Sequence, residues 1–234
     1  MRPTTAPAGH PGGSGVGLRP GDVSGGGPGV VYGYACNAYG GSGSYGGIGV
    51  VDASTGSVLG TVTTGPFYAP VVVAASGGQV YAADAGLSPS SLFLYDVSNS
   101  TPGTAPLQLV GERASICDNL RDLAASPDGT QVVTGCGWPY EHDVYSVNKL
   151  ASVGVYPSGT YPNAAAWSGD GQVVAVGSDS AYAPDVRIYA AGGTAPQRTV
   201  DFGSGAYLQP RGLVVSADGS QTWAVTGDMY GGNL

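Results

Sequence analysis

The sequence has few charged residues, few cysteines and no long apolar run. Charged side chains make up 10% of its 234 residues, Lys149 is the one lysine, and the formal net charge is −8. Nucleic acid and anionic membrane surfaces are therefore not expected as partners, because binding to phosphate requires clustered cations. The longest apolar run, residues 71–75, is far shorter than the ~20 residues of a membrane helix, so no membrane span is expected.

Glycine and proline are abundant instead, with 42 Gly and 17 Pro. Ten of these glycines and five of these prolines fall within residues 1–29, a stretch with too little apolar surface to offset its ordering entropy. We expect a disordered Gly/Pro-rich leader over residues 1–28 and one globular domain over residues 29–234. The N-terminal residues lack the apolar segment of an export signal, and none is expected in the chain as given.

An internal repeat organises the remaining chain. Its anchors are Ser76, Ser126, Ser168 and Ser216, which lie 50, 42 and 48 residues apart. A short apolar segment precedes each serine, and an Asp-Gly or Gly-Gly pair follows it. Such pairs form tight turns, so each copy predicts an antiparallel hairpin of two strands.

Two further strands are predicted after each hairpin, because apolar and polar residues alternate there as in half-covered strands. Four short strands per repeat are the signature of a propeller blade. The predicted fold class is thus all-β, a β-propeller of four-stranded antiparallel blades. The approximate blades are residues 29–69, 70–119, 120–161, 162–209 and an incomplete 210–234.

A proline six residues before the repeated serine, the Ser-x-Asp-Gly turn, and the V-x-D-x-x-T-G pattern of residues 50–56 recur in one known family. On these motifs the chain resembles the YVTN-type, lactonase-like propellers over roughly residues 29–234. The Gly-His and Trp-Asp pairs of WD-repeat proteins in the narrow sense are absent. The resemblance implies a bacterial extracytoplasmic or cell-surface protein.

The number of strands leaves two arrangements open. The sequence predicts three strands of a first blade, three complete blades and two strands of a fifth, whereas the family it resembles usually has six to eight blades. An incomplete, open ring would leave apolar blade faces exposed and favour self-association. The alternative is that the last strand pair completes the first blade, which closes a ring of four.

Metal and cofactor sites are not predicted. Asp128, Asp170 and Asp218 recur at one repeat position, but each falls in a hairpin turn, where aspartate accepts hydrogen bonds from nearby amides. His10 and His142 are expected in the leader and in a loop, so they form no ligand cluster. The chain has no nucleophile elbow, Walker loop or zinc-protease motif, and no catalytic residue is assigned.

The pair Cys117 and Cys136 is predicted to form a disulfide. Pairing the strands around the turn of residues 127–130 sets Arg121 opposite Cys136, and a turn at residues 118–120 would bring the two thiols within the ~5.5–6 Å Cα spacing of a disulfide. Two unpaired thiols are the alternative. A disulfide would indicate an oxidising compartment.

Tyrosine is unusually frequent among the aromatic residues, with 15 Tyr against 3 Phe. Loops that share one face of a propeller would gather many of these rings, which suits recognition of a protein, peptide or glycan. Alternatively, several tyrosines fill the gaps between blades. The candidate ligand-binding residues are Tyr68, Trp138, Tyr140, Tyr161, Tyr182 and Tyr207.

The predicted function is a non-catalytic propeller module that binds a protein, peptide or polysaccharide and uses no cofactor. The alternative is a fragment of a lactonase-like or quinoprotein-like enzyme whose catalytic blades lie elsewhere. Residues 51–59 resemble the repeat of quinone-cofactor dehydrogenases, although Gly60 stands where that repeat has tryptophan.

Overall fold

Side-chain hydrogen bonds explain why the repeated motif folds into a hairpin. One carboxylate oxygen of Asp128 accepts hydrogen bonds from the Ser126 hydroxyl at 2.6 Å and from the Thr130 amide at 3.0 Å. The Ser126 hydroxyl in turn accepts a hydrogen bond from the Gln131 amide at 3.0 Å. Gly129 has a φ of 71°, a conformation that glycine adopts at little cost. The four turn residues thus close the hairpin through local contacts alone.

The turns after Ser168 and Ser216 repeat these bonds with distances between 2.6 and 3.0 Å. The amide bonded to the Ser168 hydroxyl belongs to Val173, so Gln172 lies one position earlier in its turn than Gln131 does. In all three turns the amide bonded to the serine hydroxyl is five residues after the serine, whereas the position of the glutamine varies. The repeated aspartates act as turn acceptors, as the sequence predicts.

The computed structural model describes residues 30–35, 47–52, 55, 57–62, 71–76, 78–84, 88–96, 107–179, 184–202 and 209–227. These ranges contain the strands β1 (Val30–Ala35), β2 (Gly47–Asp52), β3 (Val58–Val62), β4 (Val71–Ser76), β5 (Gln79–Asp84), β6 (Ser90–Asp96), β7 (Gln108–Ala125), β8 (Gln131–Trp138), β9 (Glu141–Ser146), β10 (Ser152–Pro157), β11 (Pro162–Trp167), β12 (Val173–Ser178), β13 (Val186–Ala190), β14 (Arg198–Val200), β15 (Gln209–Val215) and β16 (Thr222–Gly227).

These strands form antiparallel sheets in which neighbours along the chain pair with each other. Blade 1 is the sheet β1-β2-β3, blade 4 is the sheet β11-β12-β13-β14, and blade 5 is the hairpin β15-β16. The remaining sheet has seven strands in the order β10-β9-β8-β7-β6-β5-β4. We divide it at β7, so that blade 2 is β4 to β6 with the first half of β7, and blade 3 is the second half of β7 with β8 to β10.

Strand β7 joins two blades without an intervening loop. Its first half pairs with β6 and its second half pairs with β8, over 18 residues in all. Ser115 and Asn119 have positive φ values of 56° and 55° between the two halves. The predicted boundary between residues 119 and 120 therefore falls inside a continuous strand, where one blade passes directly into the next.

Blades 2 to 5 stack face to face through apolar clusters. Between blades 2 and 3, the cluster includes Tyr81 and Leu92 from blade 2 and Leu123 and Val132 from blade 3. A second cluster joins blade 3 to blade 4, and a third joins blade 4 to blade 5. Strands β11 and β12 bury alternate residues in the clusters on their two sides, which is why they are apolar almost throughout.

Hydrogen bonds also cross between blades. Ser76 Oγ donates to the Pro127 carbonyl at 2.6 Å, which ties the hairpin turn of blade 2 to that of blade 3. The Asp170 amide donates to the Ala217 carbonyl at 2.7 Å, which ties the turn of blade 4 to that of blade 5. The turns thus follow one another along one edge of the stack.

Among the residues that the structure describes, all regular structure is β and none of it is helical. Accordingly, the described part of the chain offers no helix with the length and hydropathy needed to cross a bilayer. The leader predicted for residues 1–28 lies outside the described residues.

Candidate functional site

Three of the six predicted ligand-binding residues can be located. Trp138 ends β8, Tyr140 lies between β8 and β9, and Tyr161 lies between β10 and β11. The other three, Tyr68, Tyr182 and Tyr207, lie outside the described residues.

The three located rings form one contact chain, which we call the aromatic cluster. The ring centroids of Trp138 and Tyr140 lie 5.4 Å apart at an interplanar angle of 86°. Those of Tyr140 and Tyr161 lie 5.3 Å apart at 78°. Both are edge-to-face contacts, a favourable geometry for aromatic pairs. Trp138 is 59% exposed and Tyr161 is 48% exposed, so the cluster presents rings to solvent. The two loops thus meet on one face of the stack, as predicted.

The backbone holds two of these rings in an uncommon conformation. Tyr140 has a φ of 71° and Tyr161 has a φ of 58°. For a bulky residue this left-handed conformation costs of the order of 1–3 kcal/mol of conformational free energy. The surrounding loops stabilise both positions, because Ser158 Oγ donates to the Tyr140 carbonyl at 3.3 Å and the Asp179 amide donates to the Tyr161 carbonyl at 2.8 Å. Strain of this kind is concentrated at functional sites.

Acidic residues adjoin the aromatic cluster. Asp118 lies directly opposite Trp138 in the β7–β8 register, and Glu141 follows Tyr140 in the chain. A hydrogen bond with Tyr161 raises the pKa of Tyr140, with a further contribution from burial. At neutral pH the Tyr140 phenol is therefore neutral. Asp118 and Glu141 were not among the predicted site residues, although the hairpin register and the position next to Tyr140 are signals that could have identified them.

Other tyrosines serve the alternative role of packing between blades. The fully buried ones are Tyr81, Tyr95, Tyr156 and Tyr189. The Tyr81 hydroxyl donates to the Gly129 carbonyl of the next blade at 2.8 Å, and the Tyr189 hydroxyl donates to the Pro157 carbonyl. The described tyrosines thus include buried ones that connect blades or strands and those of the aromatic cluster on the loop face.

A disulfide joins β7 to β8 close to the aromatic cluster. The sulfur atoms of Cys117 and Cys136 lie 2.13 Å apart, with the Cα atoms 5.9 Å apart, which is the predicted pair. The strand register and the turn from which this pair was predicted are both wrong. Leu120, not Arg121, lies opposite Cys136, because the register shifts between Leu120 and Asp122. No turn forms at residues 118–120; β7 continues through them, and the irregular register brings Cys117 into reach.

His142 is a buried residue of β9, which corrects the expectation that it lies in a loop. Its Nε2 lies 3.2 Å from the Ala164 carbonyl oxygen of blade 4. Its Nδ1 has no hydrogen-bond partner among the described residues. Burial lowers the pKa of His142 to about 3, and the charge of Arg187 also lowers it. The imidazole is therefore neutral at pH 7. Within the described ranges, no group of three or more potential metal ligands occurs.

Comparisons with known proteins bear on the fold. No protein-family model and no curated protein matches the chain. Among solved structures, it is similar to Kuenenia stuttgartiensis hydrazine synthase, with a TM-score of 0.51 and 18% identity over 66% of this chain. The fold is an open β-propeller. The match covers 40% of that structure's chain, and at this identity the likeness concerns the fold alone. The YVTN-type resemblance stays a prediction.

Proposed function

We propose that this propeller is a non-catalytic recognition module that binds a protein, peptide or polysaccharide through its aromatic loop face. The observation that carries the proposal is the aromatic cluster of Trp138, Tyr140 and Tyr161. Two of its rings are largely exposed, and two of its residues hold a costly backbone conformation. Packing alone does not require that cost, since other tyrosines fill the blade interfaces from ordinary strands.

The chemistry of the cluster suits an extended ligand with both apolar and polar groups. Tyrosine and tryptophan supply rigid apolar area at little entropic cost, and their polar tips donate hydrogen bonds. Asp118 and Glu141 add acceptors beside the rings. A hydroxyl-rich sugar or a peptide backbone can satisfy both kinds of group, whereas an anionic ligand would meet repulsion from the carboxylates.

We also propose that the module works outside the cytoplasm. The Cys117–Cys136 disulfide supports this, because disulfides persist mainly in oxidising compartments. Alkylation of free thiols under denaturing conditions in freshly lysed producing cells, followed by mass spectrometry, tests it, because both cysteines are buried in the folded chain. Protected Cys117 and Cys136 would support the proposal, and alkylated cysteines at both positions would contradict it.

The binding proposal is tested with the double variant Trp138→Ala, Tyr161→Ala. The probes are insoluble chitin, insoluble β-glucan and a random dodecapeptide library displayed on phage. We expect the unaltered chain to retain one of these probes, and the double variant to bind it at least tenfold more weakly. The matched control is Trp223→Ala, which removes a similarly exposed tryptophan from blade 5. Equal binding by the double variant and the unaltered chain, or no binding of any probe, would contradict the proposal.

A further inference from the structure

The aromatic cluster leaves ring faces uncovered. In an edge-to-face pair, each ring keeps at least one face free of its partner. Both contacts of the cluster are of this kind, at interplanar angles of 86° and 78°, and its end members Trp138 and Tyr161 are largely exposed. Tyr140 stands nearly at right angles to both of them. The three rings therefore present aromatic faces that differ in orientation, as the walls of a corner do.

Asp118 lies on the same side of blade 3 as Trp138. Cys136 packs in the cluster between blades 2 and 3, and Trp138 follows it by two residues in β8, so Trp138 points to that side as well. Asp118 is directly opposite Trp138 in β7. Side chains opposite each other in an antiparallel pair share a face, with Cβ atoms about 4.5–5.5 Å apart. The Asp118 side chain is therefore a neighbour of the indole.

Glu141 faces this side too. The next residue of β9, His142, points the other way, because its Nε2 lies 3.2 Å from the Ala164 carbonyl oxygen of blade 4. Side chains alternate along a strand, so Glu141 faces blade 2. Neither Asp118 nor Glu141 forms an ion pair with another residue in the described ranges. Two carboxylates thus adjoin the cluster without a cationic partner in the described part of the chain.

The chain holds a cation of its own against a ring and a carboxylate elsewhere. The Arg113 guanidinium lies over the Tyr145 ring, 5.1 Å from its centroid, and the charges of Arg113 and Asp143 act on each other. Tyr145 pairs with Val132, six residues along β8 from Trp138, so this contact is roughly 20 Å from the aromatic cluster. Among the described residues, no cation lies over a ring of the cluster itself. Its ring faces are therefore open to a cation from outside the chain.

We propose that the aromatic cluster binds an organic cation, an alkylated ammonium group whose methyl groups contact the rings. This inference rests on the proposed recognition function and names the chemistry of its ligand. The face of an aromatic ring has a negative potential and attracts a cation within about 6 Å of its centroid, most strongly at tryptophan. Asp118 and Glu141 add charge attraction, and the net charge of −8 favours the approach of cations over anions.

NMR titration of the full chain with choline tests the proposal, followed by the backbone amide and indole N–H signals. The matched probe is the neutral isostere of choline, in which a carbon atom replaces the nitrogen, so the shape is kept and the charge is lost. We expect choline to shift the signals of Trp138, Tyr140 and Tyr161, and to bind more tightly than the isostere by about fivefold or more.

Three variants separate the contributions of the rings and the carboxylates. Trp138→Ala removes an exposed ring and should weaken choline binding by about fivefold or more. The double variant Asp118→Asn, Glu141→Gln keeps the side-chain sizes and removes the charges, so it should weaken choline binding by about threefold at low salt and leave binding of the isostere unchanged. The control Trp223→Ala removes an exposed tryptophan of blade 5 and should leave choline binding unchanged.

A short peptide that carries trimethyllysine, compared with the same peptide carrying uncharged acetyllysine, distinguishes two sources of the cation. Tighter binding of the trimethyllysine peptide than of choline would support a modified protein as the source, and equal or weaker binding would support a small quaternary ammonium compound. Equal affinity for choline and its isostere, choline binding that Trp138→Ala does not weaken, or no response to either cationic probe would overturn the inference. Retention of chitin, β-glucan or a phage-displayed peptide without a response to these cations would overturn it alone and leave the proposed recognition function standing.

Discussion

Two tryptophans in stacked sheets of the same repeat have opposite surroundings. Trp167 packs between blades 3 and 4, is 9% exposed, and donates a hydrogen bond from Nε1 to the Ala124 carbonyl at 3.1 Å. Trp223 lies in an equally regular strand of blade 5 and is 53% exposed. Local sequence is apolar and alternating around both. The difference shows that burial in this fold depends on a neighbouring blade, not on the strand itself.

The strongest test of this comparison removes each tryptophan in turn. Trp167→Ala leaves a cavity between blades and an unpaired carbonyl, and should lower the free energy of unfolding by about 3–5 kcal/mol. Trp223→Ala should change it by less than about 0.5 kcal/mol, since an exposed side chain is lost. Urea unfolding measures both. Equal effects would show that the exposed face of blade 5 is as well packed as the faces between blades.

The disulfide is a second difference between the inner blades and blade 5. It stabilises blade 3 and has no counterpart among the described residues of blade 5. Replacing Cys117 and Cys136 together by serine should cost about 2–4 kcal/mol of unfolding free energy. Both cysteines belong to the cluster between blades 2 and 3, so hydrogen exchange should accelerate first in β7 and β8. Faster exchange in β15 and β16 alone would contradict this. Unfolding of the unaltered chain with and without dithiothreitol is the control.

Acidification should act on the same inner region. The pKa of folded His142 is lowered to about 3, while the unfolded side chain titrates near ~6.5. Between these values the unfolded chain binds more protons, so the free energy of unfolding falls as pH falls, by up to ~1.4 kcal/mol per pH unit. From pH 6.5 to pH 5 the loss should be roughly 2 kcal/mol, measured by urea unfolding.

The control for this pH dependence is His142→Gln, which should make the free energy of unfolding less dependent on pH between pH 6.5 and pH 5. Burial and the charge of Glu141 raise the pKa of nearby Asp143, although Arg113 opposes the shift. A raised carboxyl pKa favours the folded state on acidification, so it acts against His142 and remains in the variant. An unchanged slope in His142→Gln would mean that other groups cause the acid sensitivity.

The smallest expected effects come from replacing the repeated turn aspartate, once in blade 3 and once in blade 5. Asp128→Ala removes the acceptor of the Ser126 and Thr130 hydrogen bonds and should cost about 1 kcal/mol of unfolding free energy. The neighbouring Pro127 carbonyl is bonded to Ser76 of blade 2, so this turn also supports a blade contact. Asp218→Ala should have a smaller effect, because its hairpin is covered on one side only: the Ala217 carbonyl accepts a hydrogen bond from the Asp170 amide of blade 4, whereas Val214 and Trp223 on the other side are exposed. A larger effect at Asp218 would contradict the comparison.

The hairpin turns and the strands were predictable because they depend on residues close in the chain. Serine, aspartate and glycine at fixed spacing close each turn through their own hydrogen bonds. The pairing of Cys117 with Cys136 also followed from strand register, although the register shift at Arg121 did not. The continuity of β7 was missed, since no local signal distinguishes a strand that ends at a blade boundary from one that crosses it.

The candidate site was predictable only in part. Propeller topology indicated that the loops containing Tyr140 and Tyr161 would share one face, and the ring contact bears this out. Their positive φ values and the carboxylate of Asp118 opposite Trp138 depend on loop closure and exact register. The burial of His142 arises because a residue of β9 faces the next blade, which a local reading places in a loop.

The sequence by itself determined the all-β class, the four-strand period, the turns and the cysteine pair, because short-range hydrogen bonding and apolar alternation specify them. Only the tertiary structure decided which strand faces a neighbouring blade covers and which remain exposed to solvent. The stacking of one blade on the next buries Trp167 and leaves Trp223 exposed, although both lie in regular strands of one repeat. A strand face is buried only when another blade packs on it. The residues of the strand specify that face, but they do not specify whether another blade covers it.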